Sequence, residues 1–135
     1  MSPQQVQLVQ QSFAQVAPIS AAVPGIFYKR LFELDPSLRK LFKSDMNEQG
    51  EKLMQMIGVA VKGLDDPDAL LPAVRQLGAR HESYGVEADD YETVGQALLW
   101  TLEQGLGSAF TPEVKQAWTD TYVVLAGAMQ GRNVE

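Results

Sequence analysis

The sequence predicts an all-α protein, and three observations carry that prediction. Helix start signals of one kind recur along the chain: Ser2-Pro3, Asp35-Pro36, Asp66-Pro67 and Thr111-Pro112. A capping side chain followed by proline suits the first turn of a helix, where a missing N–H costs nothing. Behind these starts, apolar residues return every three or four positions, the spacing of one helix face. No stretch of any length alternates apolar and polar residues as a half-buried strand would.

Taken in order, Ser2 with Gln5 forms a capping box that opens a helix with a stripe of Val6, Val9, Phe13 and Val16. Ile26, Phe27, Tyr28, Leu31, Phe32 and Leu34 make a second helix, apolar nearly all round and expected to be buried on several sides. Pro24 must lie in or near its first turn. A short segment runs from Pro36 to Phe42. Leu53, Ile57, Ala60, Val61 and Leu64 mark the next helix, and Leu70, Val74, Leu77 and His81 the one after. Pro72 is tolerable there only within the first turn or two, and Gly85 reads as the stop. Asp89 with Glu92 gives a weaker cap for a helix carrying Tyr91, Val94, Leu98, Thr101 and Leu102. Thr111-Pro112 opens the last, with Val114, Trp118, Thr121, Leu125 and Ala128. The count is about seven helical segments.

With 135 residues, the chain suits one domain over residues 1–135, large enough for a real core or a core wrapped around a ligand. No apolar run approaches the roughly 20 residues of a membrane span, so no membrane partner is expected. Met1-Ser2-Pro3-Gln4-Gln5 lacks the basic and apolar regions of a secretory leader, and cytoplasmic residence is the expectation. There are no cysteines, which removes disulfides, thiolate metal sites and thiol catalysis. A net charge of −6 argues against nucleic acid. The charge is uneven: residues 1–43 are net +3 and the remainder net −9. Lys29, Arg30, Arg39, Lys40 and Lys43 form either a basic patch or an ordinary solvated face.

His81 is the only histidine. Leu70, Val74 and Leu77 precede it by eleven, seven and four residues, so it ends an apolar stripe. Such an imidazole is either a satisfied core group or a metal ligand. Four other features bear on the choice. Phe42 ends the segment after Pro36, Gln49 and Leu53 lie one turn apart on one face, Tyr28 lies in the most apolar helix, and Tyr91 follows His81 by ten residues. Separately, Phe42, Leu53 and Tyr91 read as core, Gln49 as surface, and Tyr28 as a phenol capped by some carbonyl.

In this order the residues resemble a globin, most nearly the haem domain of bacterial flavohaemoglobins and the related single-domain bacterial haemoglobins. The resemblance runs from Leu8 to Arg132. Its main pieces are Phe27-Tyr28-Lys29-Arg30-Leu31-Phe32, Leu41-Phe42, Arg80-His81-Glu82-Ser83-Tyr84, Tyr91-Glu92-Thr93-Val94-Gly95, and Ala117-Trp118 through Leu125-Ala126. It implies a globin fold enclosing one haem b (iron protoporphyrin IX), with His81 as the proximal iron ligand. Tyr28 and Gln49 would be the distal hydrogen-bonding pair, Leu53 an apolar gate beside them, and Phe42 a ring stacked on the haem. Tyr91 would lie under the proximal side, Val86 and Val94 would line the pocket wall, and Arg80 would meet a propionate. Dioxygen, nitric oxide and carbon monoxide would be the ligands, at an iron left five-coordinate because no second histidine exists. Met56, on the face of Gln49, is a remote alternative ligand and reads more simply as core filler.

The His81 ring, in a helix, would donate to the Leu77 carbonyl, which leaves it neutral. The family pattern has a glutamate near the end of the last helix acting with the tyrosine at the Tyr91 position. Here the aligned residue is Asn133, and Glu135 lies two residues on. A strong peroxidase-like electronic push is therefore not expected. Dioxygen on ferrous iron carries partial negative charge, and donors from Tyr28 and Gln49 would slow its release. The resemblance most directly implies conversion of nitric oxide to nitrate with dioxygen. That reaction would need a separate reductase, because the family's flavin and nicotinamide module is not in this sequence. A protein for oxygen storage, capture or sensing is the alternative, and a haem-free helical interaction domain is the third reading. A monomer or weak dimer is expected.

Overall fold

The first helix shows how directly the local signals act. Ser2 accepts a hydrogen bond from the Gln5 N–H, and the Gln5 side chain accepts one from the Ser2 N–H, each at 3.1 Å. That closed box starts α1 at Pro3–Val16. Thr111 accepts from the Val114 N–H at 3.2 Å and starts the last helix in the same way. The computed structural model describes residues 2–19, 21–41, 46–83 and 88–130, with backbone alone at 41, 47, 67, 79–83 and 88.

Among these residues there are six α-helices and no strands: α1, then α2 (Val23–Leu34), α3 (Met46–Lys62), α4 (Pro67–Ser83), α5 (Ala88–Leu106) and α6 (Pro112–Met129). Four 3₁₀ turns fill the connections: Ala17–Ile19, Pro36–Leu41, Gly63–Asp65 and Gly107–Ala109. The expected seventh segment after Pro36 is therefore a 3₁₀ turn, held at its start by Asp35, which accepts from both the N–H and the hydroxyl of Ser37. Pro24 occupies the first turn of α2 and Pro72 the second turn of α4, as their chemistry requires. Asp89 differs from expectation. It lies inside the first turn of α5 with Asp90 rather than capping it, where both carboxylates face the positive end of the helix dipole. Gly85 lies outside the described residues.

α2 packs most extensively on α5, and α6 takes both α1 and α4. One core cluster joins Val9, Val61, Leu102, Val114, Ala117 and Trp118. A second joins Phe27, Tyr28, Leu31, Leu38 and Ala97. Leu70, Val74 and Ala128 form a third where α4 meets α6. α2 keeps one exposed stripe of Gly25, Lys29 and Glu33, so it is buried on most but not all sides.

The α1–α6 contact contains a buried polar pair that only the fold brings together. The Trp118 indole N–H donates to the Ser12 hydroxyl at 2.8 Å, and that hydroxyl donates back to the Leu8 carbonyl at 2.7 Å. A buried indole N–H needs such a partner, since leaving it unmade costs about 1–3 kcal/mol. No described helix is long and apolar enough to cross a membrane.

Candidate functional site

The site begins where α2 and α3 cross. A methyl group at Gly50 would lie 2.7 Å from Cβ of Pro24, so the two helices approach as closely as they do because position 50 has no side chain. That approach brings the first turns of α3 over Tyr28. The Tyr28 hydroxyl donates to the backbone carbonyl of Gln49 at 3.5 Å, a long bond. The ring is held edge-on by Phe27, with centroids 5.1 Å apart, and is stacked on Phe32 at 6.1 Å. Burial pushes the Tyr28 phenol up to about 12, and a hydrogen bond with the Gln49 side chain pulls it the other way. At neutral pH the phenol is therefore protonated and able to donate.

Leu53 and Val94 are half-buried and pack against the same cluster as Tyr28, together with Met46. The fold thus draws Tyr28, Gln49, Leu53 and Val94, from three helices, into one neighbourhood. Tyr91 is buried one helical turn before Val94 on α5. Met56, on the same helix as Gln49, is 38% exposed.

His81 lies in α4, two residues before its end. Its side chain and that of Arg80 lie outside the described residues, as do Phe42, Val86, Lys43, Asn133 and Glu135. Of the expected basic patch, Lys29 and Lys40 are exposed. Arg39 sits over the Phe32 ring at 5.4 Å, and Arg30 lies over Trp100 at 5.2 Å, with Glu33 at 3.7 Å.

Sequence reasoning passed over Tyr122. Its hydroxyl donates to the backbone carbonyl of Tyr91 at 2.6 Å, tying α6 to the start of α5. Its ring lies so close to Gly95 that a methyl group there would sit 2.7 Å from Cε2. Burial, and then the neighbouring Tyr91, raise the Tyr122 phenol above its ordinary value. The available signal was Gly95, since a glycine inside a helix is costly and usually marks a close approach.

α3 and α4 are consecutive, yet α3 packs mainly on α1 and α2 while α4 packs mainly on α6. α3 carries Gln49 and Leu53 close to Tyr28 of α2, and α4 carries the single histidine. The fold is all-helical, with a buried phenol and a facing glutamine where two helices cross.

The chain belongs to the globin family, whose model matches residues 26–129. It is 35% identical over 118 residues to neuroglobin of Danio rerio, covering 77% of this chain and 74% of that protein. It is 33% identical over 135 residues to a flavohemoprotein of Bordetella parapertussis, covering 98% of this chain but 34% of that longer protein. Among solved structures it resembles an engineered carbene transferase derived from a nitric oxide dioxygenase-type protein of Rhodothermus marinus, with a TM-score of 0.86 and 30% identity over 97% of this chain and 92% of that one. Membership in the family implies a haem cofactor.

Proposed function

We propose that this chain is a haem b globin of the oxygen-reactive kind, acting on nitric oxide and dioxygen with electrons from a separate reductase. The single observation that carries the reading is the Tyr28–Gln49 pair: a buried phenol, protonated at neutral pH, beside an amide on a facing helix. When bound, the haem would supply an iron position for a diatomic gas and a change of oxidation state.

The rest belongs to the protein. His81 would hold the iron from α4 through a neutral imidazole. Tyr28 would donate its O–H, and Gln49 its N–H₂, to a gas ligand that carries partial negative charge. The apolar flank of Leu53 and Val94 would exclude water, which strengthens both bonds. Tyr91 would support the proximal side, with Phe42, Val86 and Arg80 completing the haem contacts. Each charge-assisted bond is worth about 1.5–3 kcal/mol, so dioxygen release would be slow, which suits turnover or capture better than rapid delivery.

Reconstitution with haem tests the reading. The wild type should give a Soret band and a five-coordinate ferrous spectrum. His81→Ala should lose the band, and added imidazole should restore it. Consumption of nitric oxide with stoichiometric nitrate supports the dioxygenase reading. Slow gas release with no nitrate would point to storage, capture or sensing, the alternative reading. An unchanged spectrum in His81→Ala would overturn the assignment of the ligand.

A further inference from the structure

Where α1 meets α3, the two helices do not close fully. A crevice of about 330 Å³ lies between them, lined by Gln10, Phe13, Gly58 and Val61, with Lys62 and Asp65 at its edge. An apolar space of about 150 Å³ is enough for one benzene ring, so this crevice takes a ring and a short polar arm. The Phe13 ring is half-buried and backed by Trp118, with centroids 6.5 Å apart. The Gln10 side-chain amide donates to the Val61 carbonyl at 3.1 Å, which leaves its own carbonyl oxygen as an acceptor. Lys62 and Asp65 are exposed, and among the described residues neither makes an ion pair.

Gly58 shows that helix packing does not force this opening. A Cβ there would lie 3.6 Å from Cε2 and 3.7 Å from Cζ of Phe13, an ordinary contact. At Gly50 and Gly95 the added methyl group would lie 2.7 Å from its neighbour, and glycine relieves a clash. A glycine inside a helix costs stability relative to alanine. Position 58 bears that cost with no clash to relieve, and what it gains is open space over Phe13. The geometry points to the α1–α3 crevice as a binding site for an aromatic α-amino acid. The ligand's ring packs on Phe13 through the gap at Gly58. Its ammonium group donates to Asp65 and to the Gln10 carbonyl, and its carboxylate accepts from Lys62. Opposite charges at the edge suit a zwitterion and disfavour a ring that carries one charge only. Gly58 lies about 180° round α3 from Gln49 and more than two turns along it, so this site is separate from the proposed gas site and does not rest on that reading.

Titration of the full chain with L-phenylalanine, followed by NMR, tests the site. The Gly58 and Lys62 amides and the Phe13 ring should shift together and saturate, with a Kd of about 1 mM or tighter. Benzoate and benzylamine, each with the ring and one of the two charges, should bind at least tenfold more weakly. Gly58→Leu fills the crevice and should abolish the shifts of Lys62 and Phe13. Lys62→Ala, an exposed change that leaves the packing alone, should weaken binding at least fivefold. Gly58→Ala should raise the thermal midpoint of unfolding, because it removes the cost of a helical glycine without a clash. A lower midpoint in Gly58→Ala would make the glycine a packing residue and overturn the inference. So would L-phenylalanine that leaves Gly58, Lys62 and Phe13 unmoved, or benzoate or benzylamine that binds as tightly as the amino acid. Wild-type affinity in Lys62→Ala would remove the charge recognition on which the choice of ligand stands.

Discussion

At the α1–α6 corner, Val9 and Trp118 are sealed from solvent, and the one buried indole N–H is met by Ser12 at 2.8 Å. At the α2–α3 crossing, the helices touch at Pro24 and Gly50 and leave about 1070 Å³ open beside Tyr28, whose hydroxyl makes a bond of 3.5 Å. Both regions bury a polar aromatic residue. The first gives its donor a short, fully buried partner and closes over it. The second gives its phenol a long bond to the Gln49 carbonyl, a bond with the Gln49 side chain, and open space beside the ring. Stability is concentrated where polar groups are matched, and the function proposed above would use the looser match.

Four substitutions probe that contrast. The largest effect should come from Gly78→Ala on the closed side. A methyl group there would lie 1.8 Å from the Met129 backbone oxygen, and backbone cannot swing aside. Separating α4 from α6 should cost about 3 kcal/mol, read as a lower urea midpoint. Ser12→Ala should cost about 1–3 kcal/mol by stranding the Trp118 N–H, and thermal melting would show it. A neutral result there would mean that the corner is less closed than its geometry indicates.

Gly50→Ala should cost about 1–2 kcal/mol, because the new methyl group would lie 2.7 Å from Cβ of Pro24 and α3 must move. Its second consequence sharpens the contrast: the Tyr28–Gln49 pair should loosen, and dioxygen release should speed up in stopped-flow measurements. The smallest effect on stability at neutral pH should be that of Tyr28→Phe, about 1 kcal/mol, since it removes the long bond to the Gln49 carbonyl and the bond with the Gln49 side chain. Alkaline pH separates this variant from the wild type. The folded state holds the Tyr28 phenol at about 12 against an ordinary 10, so the folded state retains its proton longer than the unfolded chain does. Wild-type stability should be flat below pH 10 in this respect and fall as pH rises from 10 to 12. Tyr28→Phe should lose part of that fall. Tyr122, also shifted upward by burial, keeps the remainder.

The helices were legible because their signals are local. Ser2, Asp35, Asp66 and Thr111, each followed by proline, mark the starts of α1, the Pro36–Leu41 turn, α4 and α6. The candidate pair was legible only as an ordered set, since Tyr28 and Gln49 separately read as a capped phenol and a surface amide. Ser12 gave no sign that it would meet Trp118 across 106 positions, and Tyr122 gave none that it would reach Tyr91 across 31. Those pairings depend on which helix lies against which, and helical periodicity names the buried face without naming its partner.

By itself the sequence determined the helical class, the helix starts, the buried stripes and the single histidine, because caps, proline geometry and period are properties of a few neighbouring residues. The tertiary structure alone decided that α2 and α3 meet at Pro24 and Gly50, that Tyr28 reaches Gln49 there, and that a wide groove remains beside them. Those depend on distances between side chains far apart in the chain. Such distances are set by how close two helices are allowed to come, and at this crossing the limit is one missing methyl group.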